Sequence, residues 1–242
     1  MDSPSLPPAT EKVWHYLRAQ PALAGFVLAG GSALSLRIRH RVSEDLDFIC
    51  LQPRLPRQRL AVFCRQASAA GFVFKPNDDE AAVQEFAAGG LELHDYQQDF
   101  LVNDTVKVSF VALDEAQRII FSGEPAANQP RLATLPELFK SKALVSAVRS
   151  KTRDWLDLFL LLHDHGFTLR DYWQTFAAAG NLAQCDTGLA RLCSGVPQRG
   201  DEGYSHLLTN PPTLAEMKNF FIAQRKKLEV ELAADARRKS LE

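Results

Sequence analysis

The sequence predicts an α/β (α+β) chain: a mixed sheet with flanking helices, followed by a mostly helical C-terminal part. Three observations predict it. A short apolar run, Phe26-Val27-Leu28-Ala29, ends on Gly30-Gly31, as a strand ends on a turn. Between residues 72 and 113, β-rich stretches alternate with turn residues. From Thr134 onward nearly every segment carries helical periodicity.

Taken in order, residues 10–19 read as a first helix, with Val13, Trp14, Tyr16 and Leu17 as its apolar face. The strand over 26–29 follows, then a helix over 32–39 with Leu34 and Ile38 four apart. Residues 46–51 read as the second strand, closed by Pro53 and Pro56, and 57–70 as a helix stopped by Gly71. The stretches 72–75, 82–88 with 91–96, and 106–113 are expected as an antiparallel meander. Gly89-Gly90 and Asn103-Asp104 would supply its turns. Helices are expected over 135–148, 153–164, 169–178 and 214–234, with Pro211-Pro212 breaking the chain before the last. This organisation divides the chain into residues 1–130 and a helical domain over 131–242, with a soft boundary near 122–132. No repeats or low-complexity tracts interrupt it.

The chain of 242 residues is 46% hydrophobic and 24% charged, which places it among ordinary folded proteins rather than disordered or fibrous ones. No apolar run approaches the roughly 18 residues needed to span a membrane. Residues 1–10 are polar and proline-bearing, without the apolar core of a signal peptide, so a cytoplasmic protein is expected. The four cysteines, Cys50, Cys64, Cys185 and Cys193, lack metal-ligand spacing and read as thiols. Residues 1–130 hold 12 basic against 16 acidic side chains, and the remainder 16 against 13. That asymmetry suits an acidic metal site first and a phosphate-facing part second, but it is too weak to indicate nucleic-acid binding by itself.

Asp45 and Asp47 lie at i and i+2, a spacing that turns two strand side chains to one face. Two converging carboxylates repel unless a cation lies between them, and oxygen-only ligands favour Mg²⁺. The alternative is a pair of solvated aspartates at a strand edge. Upstream, a strand followed by Gly30-Gly31-Ser32 and a helix aims backbone N–H groups at an anion such as a triphosphate. A tight structural turn capped by Ser32 is the competing reading. No GK[ST] follows, so this is not a P-loop.

Gly30-Gly31-Ser32-Ala33-Leu34, then Arg41-Val42-Ser43-Glu44-Asp45-Leu46-Asp47, resembles the opening signature of the AbiEii-type nucleotidyltransferase family, which includes the toxins of type IV toxin–antitoxin systems. The pattern is GG[ST]AL, a short helix, and RxSxDhD with h apolar. A second block, from Lys142 through Arg149 to Arg153-Asp154-Trp155-Leu156-Asp157-Leu158, resembles the family's lysine, later arginine and RDxxDL. The resemblance covers roughly residues 24–165 and implies a nucleotidyltransferase-fold sheet. Lys142 and Arg149, seven apart, share a helical face, and Asp154 and Asp157 are neighbours on the next helix. They read either as a phosphate clamp with orienting acids or as an interhelical salt-bridge network.

What the resemblance implies is a Mg²⁺- or Mn²⁺-dependent transfer of a nucleoside monophosphate from a nucleoside triphosphate to a hydroxyl. The acceptor would be RNA, such as a tRNA end, or a protein, and an antitoxin partner is implied. Asp45 and Asp47 would hold the metal. Gly30, Gly31, Ser32, Arg41, Ser43, Lys142 and Arg149 would hold the nucleotide in a cleft between sheet and helical part. Asp45, Asp47, Lys142 and Asp157 form the expected catalytic set. The family also places an acid on a neighbouring strand, as K-h-[ED]-h, where this chain has Lys107-Val108-Ser109-Phe110. A serine cannot act as a base near neutral pH. Glu92, read as lying on the preceding strand, is the first substitute, with Asp104 and Asp95 after it. The departure leaves open a non-catalytic nucleotide- or partner-binding protein on the same fold. An antibiotic-modifying nucleotidyltransferase fits less well, because the RDxxDL block is foreign to it.

Overall fold

A computed structural model of the chain describes residues 5–124 and 126–240, so Met1 to Pro4 of the polar N-terminal stretch lie outside the described residues. The chain forms two compact units, Met1–Leu138 and Phe139–Glu242.

The first unit opens with α1 (Pro8–Leu17), whose proline stands where a helix needs no N–H donor. Then follow β1 (Phe26–Ala29), α2 (Gly30–Ile38), β2 (Leu46–Cys50), α3 (Arg57–Ala69), β3 (Phe74–Pro76), α4 (Glu80–Ala88), β4 (Gln97–Val102), β5 (Val106–Ala112), α5 (Glu115–Arg118) and β6 (Arg131–Leu132). Among the described residues the strands make one mixed sheet in the order β3-β4-β5-β2-β1-β6. β2 runs parallel to β5 and β1 parallel to β6, while the other neighbouring pairs are antiparallel. β6, only two residues long, is tied down by Arg37 of α2, which donates to the carbonyls of Ala133 and Leu132.

Alternation along the strands separates two faces. Phe48 and Phe110, directly paired, stack at 5.5 Å, with Phe26 edge-on to Phe110 at 5.4 Å and Trp14 of α1 against Phe48. Phe63 of α3 meets Phe74, and Phe74 meets Phe100. This aromatic face is the core of the unit. Asp47 and Ser109, one residue before Phe48 and Phe110, therefore lie on the other face. So does Asp99, which pairs with Ser109.

Three sequence expectations are corrected here. Residues 82–88 form helix, not strand. Asp79 caps α4 by accepting from the Ala81 N–H at 2.9 Å, and the run Glu80-Ala81-Ala82-Val83-Gln84-Glu85 is strongly helix-forming. Gly89-Gly90 consequently ends that helix instead of turning a hairpin. The strand that precedes β5 is Gln97–Val102, not 91–96, because Leu93–Asp95 winds into a short 3₁₀ turn. Asn103-Asp104 does turn the chain, both residues with positive φ, but the loop includes Thr105, so Val102 pairs with Val106.

The α6 helix (Leu135–Val148) crosses the division between units. The second unit continues with α7 (Thr152–Asp164), α8 (Leu169–Ala178), α9 (Leu182–Ser194) and α10 (Leu214–Lys239). Phe139, Trp155, Tyr172, Phe176 and Phe221 are among its large buried side chains. A capping box, Thr213 with Glu216, starts α10 directly after Pro211-Pro212. The α7 N-terminus lacks a cap of its own; Asp201 serves it from a distant loop, accepting from the Thr152 N–H at 3.0 Å and its hydroxyl at 2.6 Å. Gly188 in α9 leaves room for the Tyr172 hydroxyl, which meets Ser146 Oγ at 2.8 Å; a Cβ there would collide with the Tyr172 hydroxyl. No helix of the described residues is long and apolar enough to cross a membrane.

Candidate active site

The β1–α2 junction is built against β2. Ala29, the last residue of β1, pairs with Asp47, and the chain then enters α2 through Gly30 at φ +69°. That dihedral disfavours any side chain, and a Cβ on Gly30 would run into Asp47 Oδ2. At Gly31 a Cβ would lie 2.6 Å from an Arg41 guanidinium nitrogen and 2.9 Å from Ser43 Oγ. Both glycines are thus required by close approach of other groups. The helix begins at Gly30, two residues earlier than the sequence suggests, and no side chain caps its N-terminus.

The loop that carries Arg41, Ser43 and Asp45 is pinned on several sides. Ser32 Oγ donates to the Asp45 carbonyl, Thr10 Oγ1 donates to the Glu44 carbonyl at 3.0 Å, and the Ser43 N–H donates to the Ser5 carbonyl at 3.1 Å. Arg41 and Ser43 are buried, Asp47 half-buried and Asp45 exposed. The structure therefore assembles Gly30, Gly31, Ser32, Arg41, Ser43, Asp45 and Asp47 around one turn. Within it the Ser32 hydroxyl is engaged by the DxD backbone, so what Ser32 offers an anion is its N–H. Among the described residues no three His, Cys, Asp or Glu side chains converge closely enough to hold a metal ion unaided. The donor chemistry still fits a hard cation: both aspartates offer only oxygen, and the Asp47 carboxylate reaches the turn because Gly30 carries no side chain.

The second block folds within the helical unit as a buried ionic network. Lys142 Nζ of α6 lies 2.6 Å from both Asp154 Oδ1 and Asp157 Oδ2 of α7, and Arg149 Nε lies 2.8 Å from Asp154 Oδ2. Lys142, Asp154 and Asp157 are buried, whereas the Arg149 side chain is 46% exposed and so remains open to solvent. Burial pushes the Asp154 carboxyl up, but the Lys142 charge and the Arg149 hydrogen bond outweigh it and hold it below the carboxylate range. Arg153 turns to the loop at 202–203, bonding the Gly203 carbonyl and Glu202.

The sequence's substitutes for the missing acid lie elsewhere. Glu92 is off the sheet and pairs with His94 at 3.2 Å, Asp95 pairs with Arg54 and Arg57, and Asp104 pairs with Lys75 in the hairpin loop. Asp99 is the carboxylate that the register sets beside Ser109. The sequence reading missed it because Gln97-Gln98-Asp99 is too polar to stand out as strand. A groove of about 1010 Å³ lies among Pro56, Arg57, Asp78, His94, Gln98 and Phe100. None of the sequence-predicted site residues lines it. The four cysteines are free thiols, and burial pushes Cys64 and Cys185 up to about 11.

A search of curated protein sequences finds no match. Among solved structures, a crystal structure from H. pylori assigned as a nucleotidyltransferase aligns with TM-score 0.50 and 21% identity, covering 91% of this chain and 95% of that one. MenT4, a nucleotidyltransferase toxin from Mycobacterium tuberculosis, aligns with TM-score 0.45 and 13% identity, covering 88% and 82%. The first likeness shows the nucleotidyltransferase fold. The family profile described as "Nucleotidyl transferase AbiEii toxin, Type IV TA system" matches residues 15–237, nearly the whole chain. With the glycine turn set against Asp47 and the lysine–aspartate network behind the RDxxDL block, the chain belongs to the AbiEii nucleotidyl transferase toxin family.

Proposed function

We propose that the protein transfers a nucleoside monophosphate from a nucleoside triphosphate to a hydroxyl of RNA or protein, as a toxin-type enzyme countered by an antitoxin. The observation that carries this reading is Gly30: an uncapped helix N-terminus and the Asp47 carboxylate meet there, with Asp47 Oδ2 standing where a Gly30 side chain would be. Helix N-termini favour phosphates through free N–H groups and the helix dipole. In this reading the N–H groups of Gly31 and Ser32 hold phosphate oxygens, and Arg41 with Ser43 fixes the turn that presents them. Asp45 and Asp47 would hold Mg²⁺ or Mn²⁺; the bound ion supplies charge neutralisation for the phosphates. Within the helical unit, Arg149 is the half-exposed cation of the network, so a phosphate-binding role there falls to it. Lys142 and Asp157 would keep the network that orients it. Alignment of the hydroxyl behind the α-phosphorus, with pyrophosphate opposite, then supplies most of the rate.

A second reading, a nucleotide- or partner-binding protein without turnover, is favoured by Ser109 alone. Thermal unfolding with each triphosphate, with and without Mg²⁺, tests binding: ligand at a hundredfold over its dissociation constant adds about 2.7 kcal/mol. Absence of any Mg²⁺-dependent stabilisation would sink nucleotide binding. Labelled triphosphate incubated with total RNA or lysate then separates the two readings. Transfer by the wild type that disappears in Asp45→Ala and Asp47→Ala supports the enzyme; transfer that persists in both overturns the metal assignment.

A further inference from the structure

The acid expected at position 109 is absent, yet the row across the sheet that contains Ser109 ends on another. Asp47 of β2 pairs with Ser109 of β5, and Ser109 pairs with Asp99 of β4, so the three side chains share one face. Asp99 is only 7% exposed. Its backbone is fixed on the outer side as well: its N–H donates to Asp78 Oδ1 at 2.9 Å, and its carbonyl accepts from the Asn77 N–H at 2.8 Å. Gln97, two residues earlier and on the same face, donates to Oδ2 at 2.7 Å. The other oxygen, Oδ1, is buried with no hydrogen-bond partner. A buried carboxylate oxygen without a donor destabilises the fold, and such groups mark catalytic or ligand-binding roles.

Spacing sets what Asp99 can do. Adjacent strands lie about 4.8 Å apart, so the Cα atoms of Asp47 and Asp99 are about 10 Å apart across Ser109. Only the small hydroxyl side chain of Ser109, itself buried, stands between the two carboxylates in that row. An aspartate at 109 would stand directly between two other carboxylates and repel both, a conflict that Asp99→Asn relieves on one side. The three-strand row thus displaces the acid by one strand without removing it from the face.

We propose that Asp99 is a catalytic residue of this site, accepting the acceptor's hydroxyl proton on Oδ1. The proposal rests on the nucleotidyl-transfer reading above. The acceptor oxygen forms a bond to the α-phosphorus, the bond from that phosphorus to the pyrophosphate oxygen breaks, and its electron pair leaves with pyrophosphate. The proton ends on Asp99, whose Oδ2 stays tethered to Gln97 so that Oδ1 keeps its aim. Ser109, between Asp99 and Asp47 in the same row, keeps a small polar side chain beside the path of that hydroxyl.

The test compares Asp99→Asn, Ser109→Val and the double variant Asp99→Asn/Ser109→Asp in the full-length protein. Two readouts are taken: label transfer, and Mg²⁺-dependent thermal stabilisation by the triphosphate. Asp99→Asn should lower transfer by about 10²- to 10⁴-fold, the usual contribution of a positioned base, while nucleotide stabilisation stays within twofold in apparent affinity. The acid restored at 109 in the double variant should recover at least tenfold of the loss. Ser109→Val, which leaves Asp99 intact but puts an apolar side chain between it and Asp47, should also lose transfer but keep nucleotide stabilisation. That arm decides the question if Asp99→Asn does not fold. Full transfer by either Asp99→Asn or Ser109→Val overturns the proposal and leaves the transferase reading standing. Nucleotide stabilisation without transfer in the wild type overturns both.

Discussion

At the scale of single residues, the site depends on what is missing from two glycines. Gly30 combines φ +69° with a Cβ direction that runs into Asp47 Oδ2. Gly30→Ala therefore meets left-handed strain of about 1–2 kcal/mol and must also move the carboxylate. Its melting temperature should fall, and it should lose nucleotide-dependent stabilisation even when refolded fully; an alanine variant that binds nucleotide as the wild type does would contradict the close-approach argument. This part was legible in the sequence, because Gly-Gly-Ser after an apolar run and Asp-x-Asp after a short helix are local patterns. The tie from Ser32 Oγ to the Asp45 carbonyl was not legible, because it joins a side chain to a backbone atom 13 positions away and leaves no mark on the choice of residue at 45. Asp45→Ala keeps that carbonyl, which makes it the cleaner probe of the carboxylate.

At the scale of elements, the α6–α7 pair shows why a motif alone does not assign a role. Lys142 lies between two carboxylates whose side chains are 3% and 0% exposed. Lys142→Met would leave buried charge uncompensated and should cost about 3–5 kcal/mol, read as a lower denaturant midpoint. Loss of transfer in that variant says little by itself. Adding Asp157→Leu separates the roles: recovered stability with recovered transfer makes the network structural, and recovered stability without transfer makes the Lys142–Asp157 pair functional. The sequence named this pair of readings from spacing, since seven residues on one helix and three on the next put the groups on facing stripes. The meander was harder. Residues 82–88 are alanine-rich and lie on a surface helix that buries no residue fully, so their apolar content marked no strand. β4 was hidden by its own polarity: Gln97, Gln98 and Asp99 look like loop until β5 supplies their partners Val111, Phe110 and Ser109.

At the scale of the whole molecule, Glu137 links stability to pH. Burial pushes its carboxyl up, but two hydrogen bonds from Arg131 at 2.8 Å, together with the Thr134 and Gly123 N–H groups, bring it down to about 2. A carboxylate depressed in the folded state stabilises fully above its unfolded value, near 4.5, and that contribution fades as pH falls towards 2. Melting temperature against pH should thus drop more steeply between pH 4.5 and 2 in the wild type than in Glu137→Gln. The variant should be the less stable of the two at pH 7; parallel curves would rule out this linkage. The β4–β5 hairpin has a different kind of consequence. Because side chains alternate, deleting Leu101, between the turn and Asp99, would shift the pairing of every earlier residue of β4 by one. Asp99 would then pair with Val108, a partner belonging to the aromatic face, and the strand could satisfy its apolar residues only by turning the carboxylate away from Asp47. The site should accordingly tolerate substitutions at Leu101 while failing on the loss of that single codon, a sensitivity to length rather than to letter that a deletion scan of 100–102 would read as an abrupt loss of transfer.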